Sequence, residues 1–172
     1  MGGNNGNATE IVTTTGAVDL MVTTLNNDTL TIFDLVDQSA PAQIATLLLA
    51  DAPVVNCVNN NPAVFQASSA DLSTFVVVGA ESVATVGFDG ASLTLLDQVF
   101  DADDAIDVIN RGVAVTSDGE YALVTSFMPY DAVCDPLLTG KLDVYGIATD
   151  GTLTLMDSTA LDVPSRVALR LP

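Results

Sequence analysis

The chain of 172 residues is 49% hydrophobic, yet it carries 22 acidic residues against 4 basic ones, for a formal net charge of −18. So acidic a surface repels nucleic acid and anionic membrane surfaces, and Arg111, Lys141, Arg166 and Arg170 are too few to make a basic stripe. No apolar run is long enough to span a bilayer as a helix, and with no histidine the Ser-His-Asp, Cys-His and histidine-ligated metal chemistries are excluded.

The first residues, MGGNNGNATE, lack the charged and apolar regions of a signal peptide. They resemble the Gly/Asn-rich tether that follows the lipidated cysteine of bacterial lipoproteins, so residues 1–8 are expected to form a flexible tether and the protein to be extracytoplasmic, either secreted or lipid-anchored. From Thr9 the pattern is β throughout, as expected of a chain rich in Val, Leu, Thr and Ile and poor in Lys, Glu and Arg. ATEIVTTT, VDLMVTTL, TLTIFDLVD and QIATLLLA read as four strands, separated by Gly16-Ala17, Asn26-Asn27-Asp28 and Ser39-Ala40-Pro41. A second set, AVFQASS, TFVVVGA, SVATVGFD and SLTLLDQVF, turns at 70–73 and at Asp89-Gly90. The third set is GVAVTS, YALVTSF, KLDVYGIAT and TLTLMDSTA, with turns at Asp118-Gly119 and Asp150-Gly151. Asp-Gly between two such runs is a strong hairpin signal, because both central residues tolerate positive φ. VPSRVALRLP reads as one further strand. The apolar runs TFVVVGA and QIATLLLA are expected to be buried inner strands.

These sets are copies of one another. VGFDGASLTLLD returns as YGIATDGTLTLMD, with a looser version beginning at Thr29, and repeats of this length argue for small β-units that bury their faces by stacking on one another. The expected organisation is a single β-repeat domain over 9–172, with units at about 9–50, 62–100 and 111–160 and an extra strand at 163–171. GVAVTSDGEYALVTSF followed by KLDVYGIATDGTLTLMDSTALDVPSRVAL is similar to the blades of lactonase-like (YVTN-type) β-propellers, closely over 112–169 and loosely over the rest. The resemblance implies four-stranded antiparallel blades around a central axis, and a partial propeller of about three and a half blades where closed rings have four to eight. A β-sandwich or solenoid built from the same strands is the alternative. Members of the family commonly use basic or histidine residues to bind and hydrolyse their substrates. No matching set occurs here, so the resemblance carries over no catalytic residue.

In a propeller, the connections between blades and the loops between second and third strands share one end. That end would gather the loop around Cys57, the acidic run at Asp101, Asp103, Asp104 and Asp107, and the insertion MPYDAVCDPLLTG. Asp at near-alternate positions offers oxygen ligands to a hard cation such as Ca²⁺, although the spacing is not that of an EF-hand. Calcium is thus the one cofactor the sequence suggests, against a plain solvated acidic turn. Cys57 and Cys134 form an even pair open to a disulfide in an oxidising compartment; two separate buried thiols are the other reading. Asp71 and Asp118 recur at equivalent turns, which makes them structural.

Acids spread along the whole chain point to adaptation to high salt, where screening shortens charge repulsion to about 3 Å at 1 M, against a specific divalent-cation binder. Three functional readings follow. The first is a non-enzymatic extracytoplasmic binding or assembly module that self-associates through exposed strand edges. The others are a fragment of a lactonase-like hydrolase and a calcium-stabilised binding domain.

Overall fold

A computed structural model describes residues 9–13, 19–25, 29–37, 39–50, 65–79, 82–100, 109–130 and 136–162. These form twelve strands and no helix: β1 Thr9–Thr13, β2 Asp19–Leu25, β3 Thr29–Asp34, β4 Ala42–Leu48, β5 Phe65–Ser68, β6 Thr74–Gly79, β7 Ser82–Phe88, β8 Leu93–Phe100, β9 Ile109–Val115, β10 Tyr121–Tyr130, β11 Pro136–Ile147 and β12 Leu153–Leu161. They pair in sequence order as three antiparallel four-stranded sheets, β1–β4, β5–β8 and β9–β12. No helix among the described residues is long and apolar enough to cross a membrane.

The sheets stack face on face. Leu30, Ile32 and Leu49 of the first pack against Leu72, Phe75, Val77, Ala84 and Val86 of the second. On the other side of the second sheet, Val76, Val78 and Val83 meet Val115, Ala122, Val124, Tyr145 and Leu153 of the third. Alternation along β6 therefore sends Phe75 and Val77 one way and Val76 and Val78 the other, and its apolar run is buried on both faces.

The turns explain the copies. Asp89-Gly90 and Asp150-Gly151 bring the third strand of a sheet back as the fourth, with φ of 92° and 88° at the glycines. At the turn between first and second strands, residues 69–74 and 116–121 make the same bonds: Leu72 N–H donates to Ser69 O and Gly119 N–H to Thr116 O, at 3.0 and 2.9 Å. Gly119 takes the left-handed conformation that this turn demands, with φ 76°, and so does Leu72, with φ 61°. A leucine in that region costs about 1 kcal/mol. Leu72 offsets it by burying its side chain in the first interface, worth about 2 kcal/mol.

All three sheets also carry a bulge at one place in the pairing of third and fourth strands, between Ile32/Phe33, Thr85/Val86 and Val144/Tyr145. The extra residues are Ile44, Leu96 and Met156.

Two expectations are corrected. QIATLLLA is not an inner strand: it forms β4, the outermost strand of its sheet among the described residues, and Leu48 is 68% exposed. The insertion after Met128 is mostly not a loop. Met128 pairs with Thr139 and Tyr130 with Pro136, past a register shift that lets Pro136 stand at a strand start. The predicted tether 1–8 and the extra strand 163–171 lie outside the described residues.

Candidate functional site

Three places gather polar groups at the boundary of the second and third sheets. One is a cleft of 390 Å³ at the turn end, lined by Ser69, Asp71, Ser73, Asp118, Glu120 and Thr149 among others. Its two aspartates are already engaged. Asp71 Oδ1 accepts from the Ser69 hydroxyl at 2.7 Å, the Ser73 hydroxyl at 2.9 Å and Ser73 N–H at 3.1 Å. Asp118 accepts from the Thr116 hydroxyl and from Glu120 N–H. These bonds hold both carboxyls below their ordinary range, through the Ser69 and Thr116 hydroxyls first. Both are thus acceptors that have no proton to give near neutral pH. The sequence reading of these two aspartates as turn caps agrees with this geometry.

The second place is a socket in which the second sheet grips the β11–β12 turn. Thr85 Oγ1 donates to Gly151 O at 2.6 Å, wholly buried, and Leu153 N–H donates to Asp97 Oδ2 at 2.8 Å. Asp97 is held in place by its other oxygen, which accepts Gln98 N–H at 2.8 Å. The bulged Leu96 closes over Gly151, and a Cβ on that glycine would lie 2.5 Å from Leu96 Cβ and Cδ1. Nearer the opposite end, Asn110 Nδ2 donates to Gly79 O and Ser82 O at 2.8 and 2.9 Å, while Asn110 Oδ1 accepts from the Ser126 hydroxyl at 2.7 Å. The boundary of the first and second sheets uses a different contact, a pair of bonds between the Gln98 amide and the main chain of Ala50.

Of the residues singled out from sequence, Asp101, Asp103, Asp104, Asp107, Cys57 and Cys134 lie outside the described residues. Among the described residues no group of three or more His, Cys, Asp or Glu is placed to hold a metal ion. Sequence reading missed Asp97, Thr85 and Asn110. Asp97 and Asp157 end the two clearest copies of the repeat, and that shared position was the signal available for Asp97.

No family model and no curated protein matches this sequence. Solved structures do. A protein from Lactobacillus plantarum superposes with a TM-score of 0.66 at 16% identity, over 90% of this chain and 41% of its own. The periplasmic gluconolactonase PpgL of Pseudomonas aeruginosa gives 0.59 at 18% identity, over 88% and 39%. The β-propeller domain of Cps50 (Swd1) from Myceliophteria thermophila gives 0.54 at 14%, over 82% and 39%. The fold is that of part of a β-propeller. This partial propeller spans about two fifths of the length of the chains it resembles. At such identities the likeness establishes architecture alone.

Proposed function

We propose that the protein is a propeller-like module of the extracytoplasmic space that works by binding and self-association. The observation that carries this reading is the outer surface of the third sheet. Among the described residues β12 pairs with β11 alone, and residues 154–160 are exposed, with Leu155 at 53% and Met156 at 62%. An exposed edge strand with apolar residues beside it is a template for another chain. The acidic composition supports a site outside the cytoplasm in salty surroundings, as does the periplasmic source of one structural neighbour. Light scattering at low and at molar salt tests the reading: a discrete oligomer that persists in both supports it, and a monomer at both removes self-association.

The likeness to a gluconolactonase favours one second reading, a portion of a lactonase-like hydrolase. Its test is the release of acid from gluconolactone, followed at constant pH. A rate above that of buffer alone would replace the first reading with this one.

A further inference from the structure

The dipeptides Asp89-Gly90, Asp118-Gly119 and Asp150-Gly151 stand at three turns, each glycine with positive φ. An Asp-Gly bond carries a latent reaction, because no Cβ shields the glycine nitrogen from the aspartyl carboxyl carbon, and their union closes a five-membered imide. The attack needs a carboxyl turned along the glycine's peptide, a nitrogen whose hydrogen is not given to an acceptor, and open space for the ring. All three turns meet the first condition. Asp89, Asp118 and Asp150 each accept on Oδ1 the N–H two residues on, from Ala91, Glu120 and Thr152 at 2.9, 3.1 and 3.0 Å. Ionisation does not separate them either: all three carboxyls are held below their ordinary range, led by the Ser92 N–H at Asp89, the Thr116 hydroxyl at Asp118 and the Thr152 N–H at Asp150.

The other two conditions single out one turn. Gly119 N–H donates to Thr116 O at 2.9 Å and Gly151 N–H to Ala148 O at 2.8 Å. The β7–β8 turn is a residue shorter, since Phe88 pairs with Leu93 across residues 89–92 where Ile147 pairs with Leu153 across 148–152. It closes no such bond, and among the described residues no acceptor takes the Gly90 N–H. Space follows the same order. Gly151 is buried, with Leu96 2.5 Å from its would-be Cβ; Gly119 is half-buried, with Ser69 Cβ at 3.4 Å; Gly90 is exposed, with nothing within 4 Å.

We propose that Asp89 is a site of self-modification, at which the folded protein converts its Asp89-Gly90 bond to an isoaspartyl linkage through a cyclic imide. The Gly90 nitrogen bonds to Cγ of the neutral carboxyl and loses its proton, and the departing hydroxyl takes up a proton and leaves as water. Water then adds to either imide carbonyl. Addition at Cγ restores aspartate. Addition at the main-chain carbonyl leaves the chain running through Cβ and Cγ, with the former main-chain carbonyl as a free carboxylate. One water leaves and one returns, and nothing is oxidised or reduced. The product lengthens the β7–β8 turn by one carbon and removes the acceptor that holds the N–H groups of Ala91 and Ser92. The reaction belongs to the turn and is independent of what the module binds.

The folded full chain is held in molar salt at about pH 5, where part of each carboxyl is neutral. Samples taken over weeks are mapped by peptide mass spectrometry with electron-transfer fragmentation, which tells isoaspartyl from aspartyl bonds. Isoaspartate is expected at Asp89 at least about tenfold faster than at Asp118 or Asp150. In concentrated urea, where the turns are lost, the three rates should converge. Replacing residues 89–92 by the sequence of 148–152 supplies the missing acceptor, and should slow the reaction at that turn to the rate of Asp118. Equal rates at the three sites of the folded chain, or no isoaspartate at Asp89, overturns the proposal. So does a lead for Asp89 that is as large in urea, which would assign it to local sequence, or a folded graft that reacts as fast as the original turn.

Discussion

Leu96 and Gly151 meet across the boundary of two sheets so closely that no side chain fits between them: a Cβ on Gly151 would lie 2.5 Å from Leu96 Cβ. Gly90, at the matching turn of the second sheet, has the same left-handed φ but nothing within 4 Å of its would-be Cβ. Gly90→Ala is expected to cost about 1 kcal/mol from backbone strain alone. Gly151→Ala adds overpacking and should cost about 3 kcal/mol. Urea unfolding of both variants, with equal m-values, measures the difference.

Asn110 is 4% exposed and ties the end of the second sheet to the first strand of the third. Asn110→Ala removes three hydrogen bonds from a site closed to water and should cost about 3 kcal/mol. Gln98→Ala also removes bonds between sheets, but these are exposed, and the loss should be about 1 kcal/mol. Chemical denaturation ranks the two.

Thr125 is fully buried, and its hydroxyl has no hydrogen-bond partner among the described residues. The matching residue of the second sheet is Val78. Thr125→Val keeps the shape and removes the unpaired polar atom, so a gain of about 1 kcal/mol is expected. A fall in thermal midpoint would show that the hydroxyl is satisfied after all.

Five turn aspartates have carboxyls held below the ordinary value of 3.8. For Asp37, Asp71 and Asp118 the leading cause is a hydroxyl, from Ser39, Ser69 and Thr116; for Asp89 and Asp150 it is the N–H of Ser92 and Thr152. A carboxyl with a lower pKa folded than unfolded contributes stability that is complete above its unfolded value and disappears as pH falls through its folded one. In molar salt the thermal midpoint should therefore stay level down to about pH 5 and fall below about pH 4. Asp118→Asn should make that fall shallower. At low salt, protonation also relieves repulsion among the acids of a chain at −18, which works in the opposite direction, so the two salt conditions should diverge on acidification.

The strands were legible because their signals are local. Alternation and Asp-Gly turns placed eleven of the described strands to within about three residues, while β11 begins at Pro136, well before the expected start at Lys141, and Asp71 and Asp118 were readable as caps because each is bonded within its own turn. What depends on contact between sheets was not. Leu96 reads as an ordinary apolar residue until the bulge turns it toward Gly151, and Asn110 as a polar residue before a strand until the stacking brings Gly79 O and Ser82 O to it. QIATLLLA misled because hydrophobicity alone does not separate the middle of a sheet from its rim.

Strand β6 has water on neither face, since Phe75 and Val77 lean on the first sheet and Val76 and Val78 on the third. Neither outer sheet can peel away without wetting one side of it, so the second sheet is the keystone of the stack's cooperativity. Its amide protons should be the last to exchange with solvent, and a flaw introduced at either boundary should be felt at the other through this one strand.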